Sequence, residues 1–378
     1  MRINDEMNKQ KKVLFLIHDL GHGGAEKVLV NLVNNMDKNK FEITVMALFG
    51  GGINEKFLKE GVKYKTIFKR PFRGNSKILK LFSPRMLHKK FIKEKYDIEV
   101  SYLEGPSARI ISGCSYNDVS LISWIHVEQH TQQVASSAFR SYKEAYKCYS
   151  KFNKTICVSE YVKEDFLALF PRLNNVDVLY NTNETAQILE LKNEPVVENL
   201  FSGNEIKLCG VGRLIPVKGF DRMARIQKRL KDEGYSTHFY VLGVGPEREN
   251  IEKYLKVNNL LNSFTLLGYQ ENPYKYVAQC DMFVCASKAE GFSTAATEAL
   301  IVGTPVVTTL VSGMSEMLGE NEYGIITDNN EEALYLGIKS LLDNPKLLEH
   351  YKRQAAIRGE FFSTENTVKA VEYMLDCL

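Results

Sequence analysis

Two carboxylates, Glu290 and Glu298, stand eight residues apart in the segment CASKAEGFSTAATEALIVGTPVV. If one helix carried both, about 12 Å would separate them, which exceeds the roughly 5 to 9.5 Å between the two carboxyl groups of a glycosidase. The spacing therefore favours contacts with two parts of one elongated ligand, since a carboxylate accepts hydrogen bonds from sugar hydroxyls. The backbone N–H groups of Phe292, Ser293 and Thr294, at the start of the predicted helix, suit a phosphate.

Two cations, Arg213 and Lys218, follow a predicted strand in the segment LCGVGRLIPVKGFD. A forked guanidinium and an ammonium group near the start of a helix are typical of a diphosphate site. The alternative is a pair of solvated surface cations, which is the favoured interpretation of an isolated Arg and Lys. The position of the pair at a strand end, beside a glycine-rich turn, weakens that alternative without removing it.

Another glycine-rich turn, HDLGHGGAEKVL, follows the first predicted strand and contains Gly21, Gly23 and Gly24. Glycines let the backbone approach a ligand closely, and the helix that begins near Ala25 offers free N–H groups to an anion. A dinucleotide fingerprint would need glycine where Glu26 stands, and the sequence contains no P-loop motif. A plain strand-to-helix turn explains the segment equally well.

The motifs are spaced along a chain in which short apolar runs alternate with segments of helical period. Runs that are apolar throughout, such as VLFLIH and FEITVMALF, are typical of parallel strands covered on both faces. The pattern predicts an α/β protein with two Rossmann-like domains, residues 1–182 and 205–359, that face each other across a cleft. A helix at about 360–378 is expected to pack back on the first domain. Ligands of such sheets bind beyond the carboxyl ends of the strands.

Charge is unevenly distributed along the 378 residues, although the net charge is only +3. Residues 56–95 contain 14 Lys or Arg and two acids, a local balance of +12 that leaves −9 for the rest. Within them, KILKLFSPRMLHKKFIKEK mixes apolar and basic residues, which is typical of a segment that lies on anionic lipid. An ordinary amphipathic helix with a solvated charged face fits about as well. Nucleic acid is not expected as a partner, because no nucleic-acid-binding motif is present.

The spacing of the cysteines and the hydropathy of the sequence indicate the cellular compartment of the protein. The seven cysteines include no CxxC pair, which favours reduced thiols in a cytoplasmic protein. The sequence has no 18-residue apolar stretch and no apolar signal core near residue 1. No Cys/His cluster has the spacing of a zinc site, so no metal site is predicted.

Taken together, the motifs resemble those of glycosyltransferase family 4, whose members are retaining enzymes with the GT-B fold. GGAE, VGRL-x3-KG, GVGPERENIE, the E-x7-E from Glu290 to Glu298, GTPVV and SGMSE occur in the matching order. The similarity extends over nearly the whole chain and is strongest from Lys207 to Thr327. Two features depart from the family pattern: Val244 stands where G-D-G-P has Asp, and EGFST replaces EGFGLP.

The resemblance implies roles on the donor side. Arg213 and Lys218 would clamp the donor diphosphate, while Glu298 would bind the ribose hydroxyls and Glu290 the transferred sugar. The LGYQENP loop around Tyr269 would hold the nucleobase. The EGFST departure puts side-chain roles for the helix-start residues in doubt but leaves their backbone roles intact.

The resemblance also implies sites in the first domain. Gly23 and Gly24 would line the cleft near the donor phosphates and the acceptor, and His126, after the WIH strand, would lie beside the sugar. Without the resemblance, a lone His in an apolar strand is more often a core residue. The expected catalytic residues are His126, Arg213, Lys218 and Glu290.

The implied reaction is a metal-independent, retaining transfer from a nucleotide-diphosphate sugar, a UDP-sugar, to a cell-surface polysaccharide or lipid-linked glycan. The transferred group would be a hexose or N-acetylhexosamine. The enzyme would be cytoplasmic and bound peripherally to the inner face of the cell membrane through residues 56–95. Two alternatives stay open: a nucleotide-sugar epimerase or hydrolase of the same fold, and a non-catalytic protein that binds nucleotide sugar or lipid.

Overall fold

The structure, a computed structural model of the chain, describes residues 10–21, 23–72, 74–196, 200–201 and 203–378. The chain divides into two compact units. Unit 1 comprises Met1–Asn183 and Thr364–Leu378, and unit 2 comprises Glu184–Ser363. Each unit contains a parallel sheet whose strands are connected by helices, which confirms the predicted α/β class with two Rossmann-like domains.

Among the described residues, unit 1 forms a seven-stranded parallel sheet in the order β3-β2-β1-β4-β5-β6-β7. The central strands are apolar because both faces are covered, and Val13–Ile17 is fully buried. The strands are β1 Lys11–Ile17, β2 Phe41–Phe49, β3 Val62–Phe68, β4 Ile98–Ser101, β5 Ser120–Ile125, β6 Lys154–Cys157 and β7 Val176–Val178. The helices are α1 Gly24–Asn35, α2 Asn75–Leu81, α3 Pro84–Phe91, α4 Pro106–Ile111, α5 Gln132–Ala135, α6 Tyr142–Tyr149 and α7 Glu160–Leu169, with a 3-10 turn at Ile53–Phe57.

The described part of unit 2 forms a six-stranded parallel sheet in the order β10-β9-β8-β11-β12-β13. The strands are β8 Ile206–Val211, β9 Thr237–Leu242, β10 Phe264–Gly268, β11 Met282–Cys285, β12 Val306–Thr309 and β13 Ile325–Thr327. The helices are α8 Thr185–Leu191, α9 Phe220–Asp232, α10 Arg248–Val257, α11 Tyr274–Val277, α12 Thr294–Val302, α13 Met314–Leu318, α14 Glu331–Leu342 and α15 Pro345–Phe361, with a 3-10 turn at Pro216–Lys218.

The last helix, α16 Thr364–Asp376, belongs to unit 1 and contacts α1. The Lys11 ammonium donates hydrogen bonds to the carbonyls of Leu375 and Asp376, each at 3.0 Å. The Asp37 amide donates to Glu372 Oε1 at 2.5 Å. The chain therefore leaves unit 1 after Asn183 and returns to it at Thr364.

The sequence pattern did not predict two outer strands, β3 and β7. Every residue of β3 is half-buried or exposed, and its sequence VKYKTIF alternates between charged and apolar residues instead of forming a continuous apolar run. Strand β7 has only three residues. The basic residues 56–95 therefore span an edge strand and two short helices, and their Arg73 lies outside the described residues. In the described ranges, no helix has the length and apolar character needed to span a membrane.

Candidate active site

The strand order of unit 2 reverses between β8 and β11, which are neighbours in the sheet although two strands separate them in sequence. Open parallel sheets bind ligands beside the carboxyl ends of the strands at such a reversal. The loop after β8 contains Arg213 and Lys218, and the loop after β11 contains Glu290. Three of the predicted site residues are therefore on the two loops that this topology favours.

Lys218 and Glu290 form an ion pair. The Lys218 ammonium nitrogen lies 2.6 Å from Oε1 and 2.9 Å from Oε2 of Glu290, so the contact is bidentate. The Ser287 hydroxyl donates to Glu290 Oε1 at 2.6 Å. Only 10% of the Glu290 side chain and 26% of the Lys218 side chain are exposed, so solvent screens the pair less than a surface pair. Sequence spacing gave no indication of the contact between Lys218 and Glu290 or of the part played by Ser287.

A glycine makes the approach of these two loops possible. Gly219 has φ +68°, and a Cβ atom there would lie 2.0 Å from the carbonyl oxygen of Ala286. A side chain would thus collide with the backbone that follows β11. The Lys288 amide also donates to the Val217 carbonyl at 2.7 Å, which ties the loops together. The local backbone therefore holds the Lys218 ammonium against Glu290.

Arg213 differs from Lys218, because it has no side-chain partner among the residues that the structure describes. Its guanidinium is exposed, and no hydrogen bond or ion pair joins it to another side chain in the part of the chain that the structure describes. The backbone beside it is fixed, because the Leu214 amide donates to the Val244 carbonyl at 2.9 Å. The GVGP turn is thereby held against the Arg213 loop. A free guanidinium on a fixed backbone is available to an anion.

Helix α12 begins at Thr294, so Glu290 is not on a helix with Glu298. Ser293 is the N-cap, and its hydroxyl accepts a hydrogen bond from the Ala296 amide at 3.4 Å. The Ser293 hydroxyl is therefore occupied within the helix. The backbone N–H groups of Ser293 and Thr294 have no acceptor within the described ranges, as expected for the first turn of a helix.

Glu298 lies on α12 and is buried. The Tyr274 hydroxyl, from α11, donates to Glu298 Oε1 at 3.4 Å. Phe292 is also buried, and its ring packs edge-on against Phe362 at 5.8 Å between centroids. Tyr269 is exposed in the loop that follows β10. The structure thus gives Glu298 its own partner, Tyr274, which the sequence did not indicate.

In unit 1 the strand order also reverses, between β1 and β4. Gly23 is the N-cap of α1 and Gly24 is its first residue. The Glu26 carboxylate folds back over this turn, since a Cβ atom at Gly23 would lie 1.9 Å from Glu26 Oε2. The GGAE motif therefore forms a helix start whose N-terminal end is covered by its own carboxylate.

His126 follows β5 and is buried beside Tyr102, with 4.9 Å between the ring centroids. Burial lowers the pKa of His126 to about 3, against the opposing effect of a hydrogen bond to the Tyr102 backbone. Its Nε2 atom is buried and has no hydrogen-bond partner among the residues described. The imidazole is therefore neutral near pH 7, and if Nδ1 makes the bond to Tyr102, Nε2 has a free lone pair.

The backbone of His126 is held by the half-buried carboxyl group of Glu104. Its amide donates to Glu104 Oε2 at 3.1 Å, and Glu104 is in the loop that follows β4. Burial raises the pKa of Glu104, although its hydrogen bonds to backbone amides act in the opposite direction. The loops after β4 and β5 are thereby connected at the ends of their strands.

The fold is that of GT-B glycosyltransferases. The structure of Anabaena HepE in complex with UDP and glucose superposes with a TM-score of 0.76 and 17% sequence identity. The alignment covers 98% of this chain and 100% of that one. Two family models together match most of the sequence. Residues 22–186 match the model described as Glycosyltransferase Family 4, and residues 192–358 match Glycosyl transferases group 1.

Two curated relatives are transferases of N-acetylhexosamines. The N-acetylgalactosamine-N,N′-diacetylbacillosaminyl-diphospho-undecaprenol 4-alpha-N-acetylgalactosaminyltransferase of Campylobacter jejuni is 27% identical over 97% of this chain and 100% of that protein. The poly(ribitol-phosphate) alpha-N-acetylglucosaminyltransferase of Staphylococcus aureus is 24% identical over 82% of this chain and 60% of that protein. The chain is therefore a glycosyltransferase of the GT-B type.

Proposed function

We propose that this chain is a retaining glycosyltransferase of family 4 that transfers a hexose or N-acetylhexosamine from a UDP-sugar to a lipid-linked glycan or cell-surface polysaccharide. The observation that carries the proposal is the group of charges at the β8–β11 reversal, where the Arg213 side chain is exposed and Lys218 contacts Glu290. The UDP and glucose bound to Anabaena HepE and the N-acetylhexosamine transfer in the names of the two relatives support it.

The first catalytic task is to stabilise the diphosphate leaving group as its negative charge grows. Arg213 would supply a bidentate guanidinium, and the N–H groups of Ser293 and Thr294 would add partial positive charge at the start of α12. The Lys218 ammonium has three N–H donors, so it can contact a phosphate oxygen while keeping one bond to Glu290. These groups would act without a metal ion, and turnover should therefore persist in EDTA.

The second task is to orient the sugar and the nucleotide. Glu290, fixed by Lys218 and Ser287, would accept a hydrogen bond from a hydroxyl of the transferred sugar. Glu298, which already accepts from Tyr274, would accept from the ribose hydroxyls. The two carboxylates thus contact different parts of one donor. Retention of configuration would follow from front-face attack, in which the leaving phosphate takes the acceptor's proton.

His126 would contact the sugar as a neutral hydrogen-bonding group. A free Nε2 lone pair accepts a hydrogen bond from a sugar hydroxyl while the imidazole stays neutral, which fits the lowered pKa of this buried imidazole. Gly23 and Gly24 would let the α1 turn approach the donor phosphates and the acceptor. The Glu26 carboxylate, which now covers that turn, would have to move for an anion to reach the amides.

The nucleotide is tested by a thermal-shift screen of the full chain with UDP, GDP, ADP and their glucose conjugates. UDP and UDP-glucose should raise the melting temperature by mass action, and Arg213→Ala should reduce the rise. A larger rise with GDP or ADP than with UDP would contradict the UDP assignment. No rise with any of them would contradict a nucleotide-sugar enzyme altogether.

Transfer is separated from epimerisation and hydrolysis by measuring UDP release with and without a solvent extract of membrane lipids from the source cells. A transferase releases UDP faster when the extract is present and incorporates labelled sugar into it. UDP release that is independent of the extract would indicate the epimerase or hydrolase. Donor binding without any UDP release would indicate a non-catalytic binding protein.

We further propose that α2 and α3 dock the enzyme on an anionic membrane. Lys63, Lys65 and Lys95 of the basic residues 56–95 are neutralised by ion pairs with Glu42, Glu94 and Asp118. The cations on α2 and α3 differ, because Lys77 and Lys89 are exposed and have no ion-pair partner in the described ranges. Between these cations, the Leu81 and Met86 side chains are 75% and 56% exposed. Apolar side chains among unpaired lysines suit anionic lipid.

Sedimentation with vesicles containing anionic lipid tests the docking proposal. Reversing the charge of Lys77, Lys80, Lys89 and Lys90 should remove most of the bound fraction, at about 1 kcal/mol for each cation near the surface. The matched control reverses Lys253 and Lys256, which are exposed on α10 of unit 2. Unchanged partitioning of the first variant, or equal losses in both, would contradict the proposal.

A further inference from the structure

An imidazole, a carboxylate and a thiol converge in unit 1. They belong to His88 on α3, Glu99 on β4 and Cys114 just beyond α4, and one ligand atom from each lies within 4.8 Å of the others. His88 Nε2 is 2.8 Å from Glu99 Oε2. His88 and Glu99 are buried, whereas Cys114 is partly exposed. The thiol is therefore the side from which a ligand can enter.

The packing of α4 on α3 brings the thiol to the imidazole. A Cβ atom at Gly113 would lie 2.1 Å from the carbonyl oxygen of Pro84, the first residue of α3. Any side chain at Gly113 would therefore push Cys114 away from His88. The Cys114 amide donates to the Ile111 carbonyl at 3.0 Å, so the backbone that carries the thiol is fixed. The three groups are thus held together by the fold and not by sequence proximity.

Within the described ranges, one carboxylate oxygen of the cluster has no hydrogen-bond partner. Glu99 is fully buried, and its Oε1 atom has no hydrogen-bond partner within the described part of the chain. A buried polar atom without a partner costs about 1–3 kcal/mol. A metal ion bound to this oxygen would remove that cost.

We propose that His88, Glu99 and Cys114 bind a transition-metal ion, preferentially Zn²⁺, with a water molecule as the fourth ligand. Nitrogen, oxygen and sulfur donors together suit Zn²⁺, whose ligand bonds of about 2.0–2.3 Å place tetrahedral ligands roughly 3.4–3.7 Å apart. To reach that separation, the His88–Glu99 contact of 2.8 Å would have to widen, and any pair near the 4.8 Å limit would have to close. Because metal ligands bind in their deprotonated forms, any proton on the three ligand groups passes to water when the ion binds.

The metal site is independent of the proposed glycosyl transfer. Its ligands lie in unit 1, whereas Lys218 and Glu290 lie in unit 2. The spacing of the ligands, 11 and 15 residues, matches no zinc motif, because three separate elements supply them. A bound ion would fasten α3, which carries Lys89, to the sheet strand β4. It would therefore stabilise the helix that we assign to membrane docking.

Alkylation of the full chain tests the site, because the protein contains its own control. Cys114 and Cys377 are the cysteines that are not buried. One equivalent of ZnCl₂ should slow the reaction of Cys114 with iodoacetamide by about tenfold or more, since a metal-bound thiolate is not a free nucleophile. The rate at Cys377 should not change, and EDTA should restore the rate at Cys114. Equal Cys114 rates with and without Zn²⁺ would overturn the proposal.

Cobalt spectroscopy gives a second, direct readout. Co²⁺ added to the full chain should produce a thiolate-to-metal absorption band, and the band should be lost in Cys114→Ser and kept in Cys377→Ser. His88→Gln should weaken Co²⁺ binding by more than tenfold, as the loss of one of three protein ligands requires. Circular dichroism establishes that each variant is folded. A band that survives Cys114→Ser, or no band in the folded wild type, would overturn the proposal.

Discussion

The strand-order reversals of the two units have the same topology and different chemistry. In unit 1, β1 and β4 are neighbours, and the loops beyond them contain the GGAE turn and the half-buried carboxyl group of Glu104. In unit 2, β8 and β11 are neighbours, and the loops beyond them contain Arg213, Lys218 and Glu290. One backbone arrangement thus supports two kinds of site, and the side chains at the strand ends determine which.

The two sites differ in whether their titratable side chains are neutral or charged. In unit 1, burial shifts the pKa values of His126 and Glu104 towards their neutral forms. In unit 2, a cation and a carboxylate are paired, and a second cation, Arg213, is exposed to solvent. A desolvated neutral site suits sugar hydroxyls, whereas unpaired positive charge suits a diphosphate. Four substitutions test this contrast.

Glu290→Gln should have the largest effect. The substitution removes the negative charge of a carboxylate that contacts Lys218 and would accept a hydrogen bond from the sugar. We therefore expect kcat to fall by roughly 10²–10³, the loss typical of one preorganised electrostatic contact. The assay is steady-state UDP release with the lipid extract as acceptor. Isothermal titration should show that UDP still binds. Glu249→Gln, an exposed position on α10, is the control and should keep full kcat. Equal kcat in both variants would remove Glu290 from the site.

Gly219→Ala should come next, through the backbone that holds Lys218. The left-handed φ of +68° and the 2.0 Å approach to the Ala286 carbonyl together should cost about 3 kcal/mol in the free energy of unfolding. Gly234→Ala is the matched control, since Gly234 has φ +87° and no atom within 4 Å of its Cβ position. Urea denaturation gives both values. Equal costs in the two variants would show that the loop contact imposes no constraint.

Arg213→Ala should weaken UDP binding by roughly 10- to 100-fold, because a hydrogen bond to a charged group contributes about 1.5–3 kcal/mol. Isothermal titration with UDP measures the change. Arg353→Ala, which removes an exposed arginine of α15, should leave the affinity unchanged.

His126→Gln should also leave UDP affinity unchanged while lowering sugar transfer. Weaker UDP binding in His126→Gln would contradict the proposal that unit 2 binds the nucleotide while His126 of unit 1 contacts the sugar.

His126 should also make the fold sensitive to acid. Its folded-state pKa is lowered from 6.5 to about 3, so between these pH values the unfolded chain binds a proton that the folded chain does not. Stability is therefore lost as the pH falls below 6.5. Relative to His126→Gln, the wild type should lose about 2 kcal/mol in the free energy of unfolding between pH 8 and pH 5. If the urea midpoints of the wild type and His126→Gln changed by the same amount between pH 8 and pH 5, the burial of a neutral imidazole would be contradicted.

Much of the fold follows from the sequence, because central strands of a parallel sheet are apolar on both faces and form continuous runs. VLFLIH and FEITVMALF were predicted as strands for that reason, and they correspond to β1 and β2. Strand β3 was missed because an edge strand of half-buried residues lacks such a run. Whether a run lies at the centre or the edge depends on strand order, which periodicity alone does not give.

Only part of the candidate site could be predicted from the sequence. Arg213 and Glu290 were singled out by residue type and position at strand ends. The Lys218–Glu290 pair spans 72 residues and depends on the Gly219 backbone meeting Ala286. The His88, Glu99 and Cys114 cluster arises in the same way, from helices packed on a strand. Contacts of this kind are set by tertiary packing, which local spacing does not encode.

During synthesis, α16 leaves the ribosome only after all of unit 2 has been made. Its buried side chains, Val368, Val371 and Leu375, are absent from unit 1 until then. Domains usually fold in the order in which they emerge. Here the unit that begins first in the chain is the last that can be completed, and a nascent chain that pauses before Thr364 would expose the apolar surface that α16 later covers.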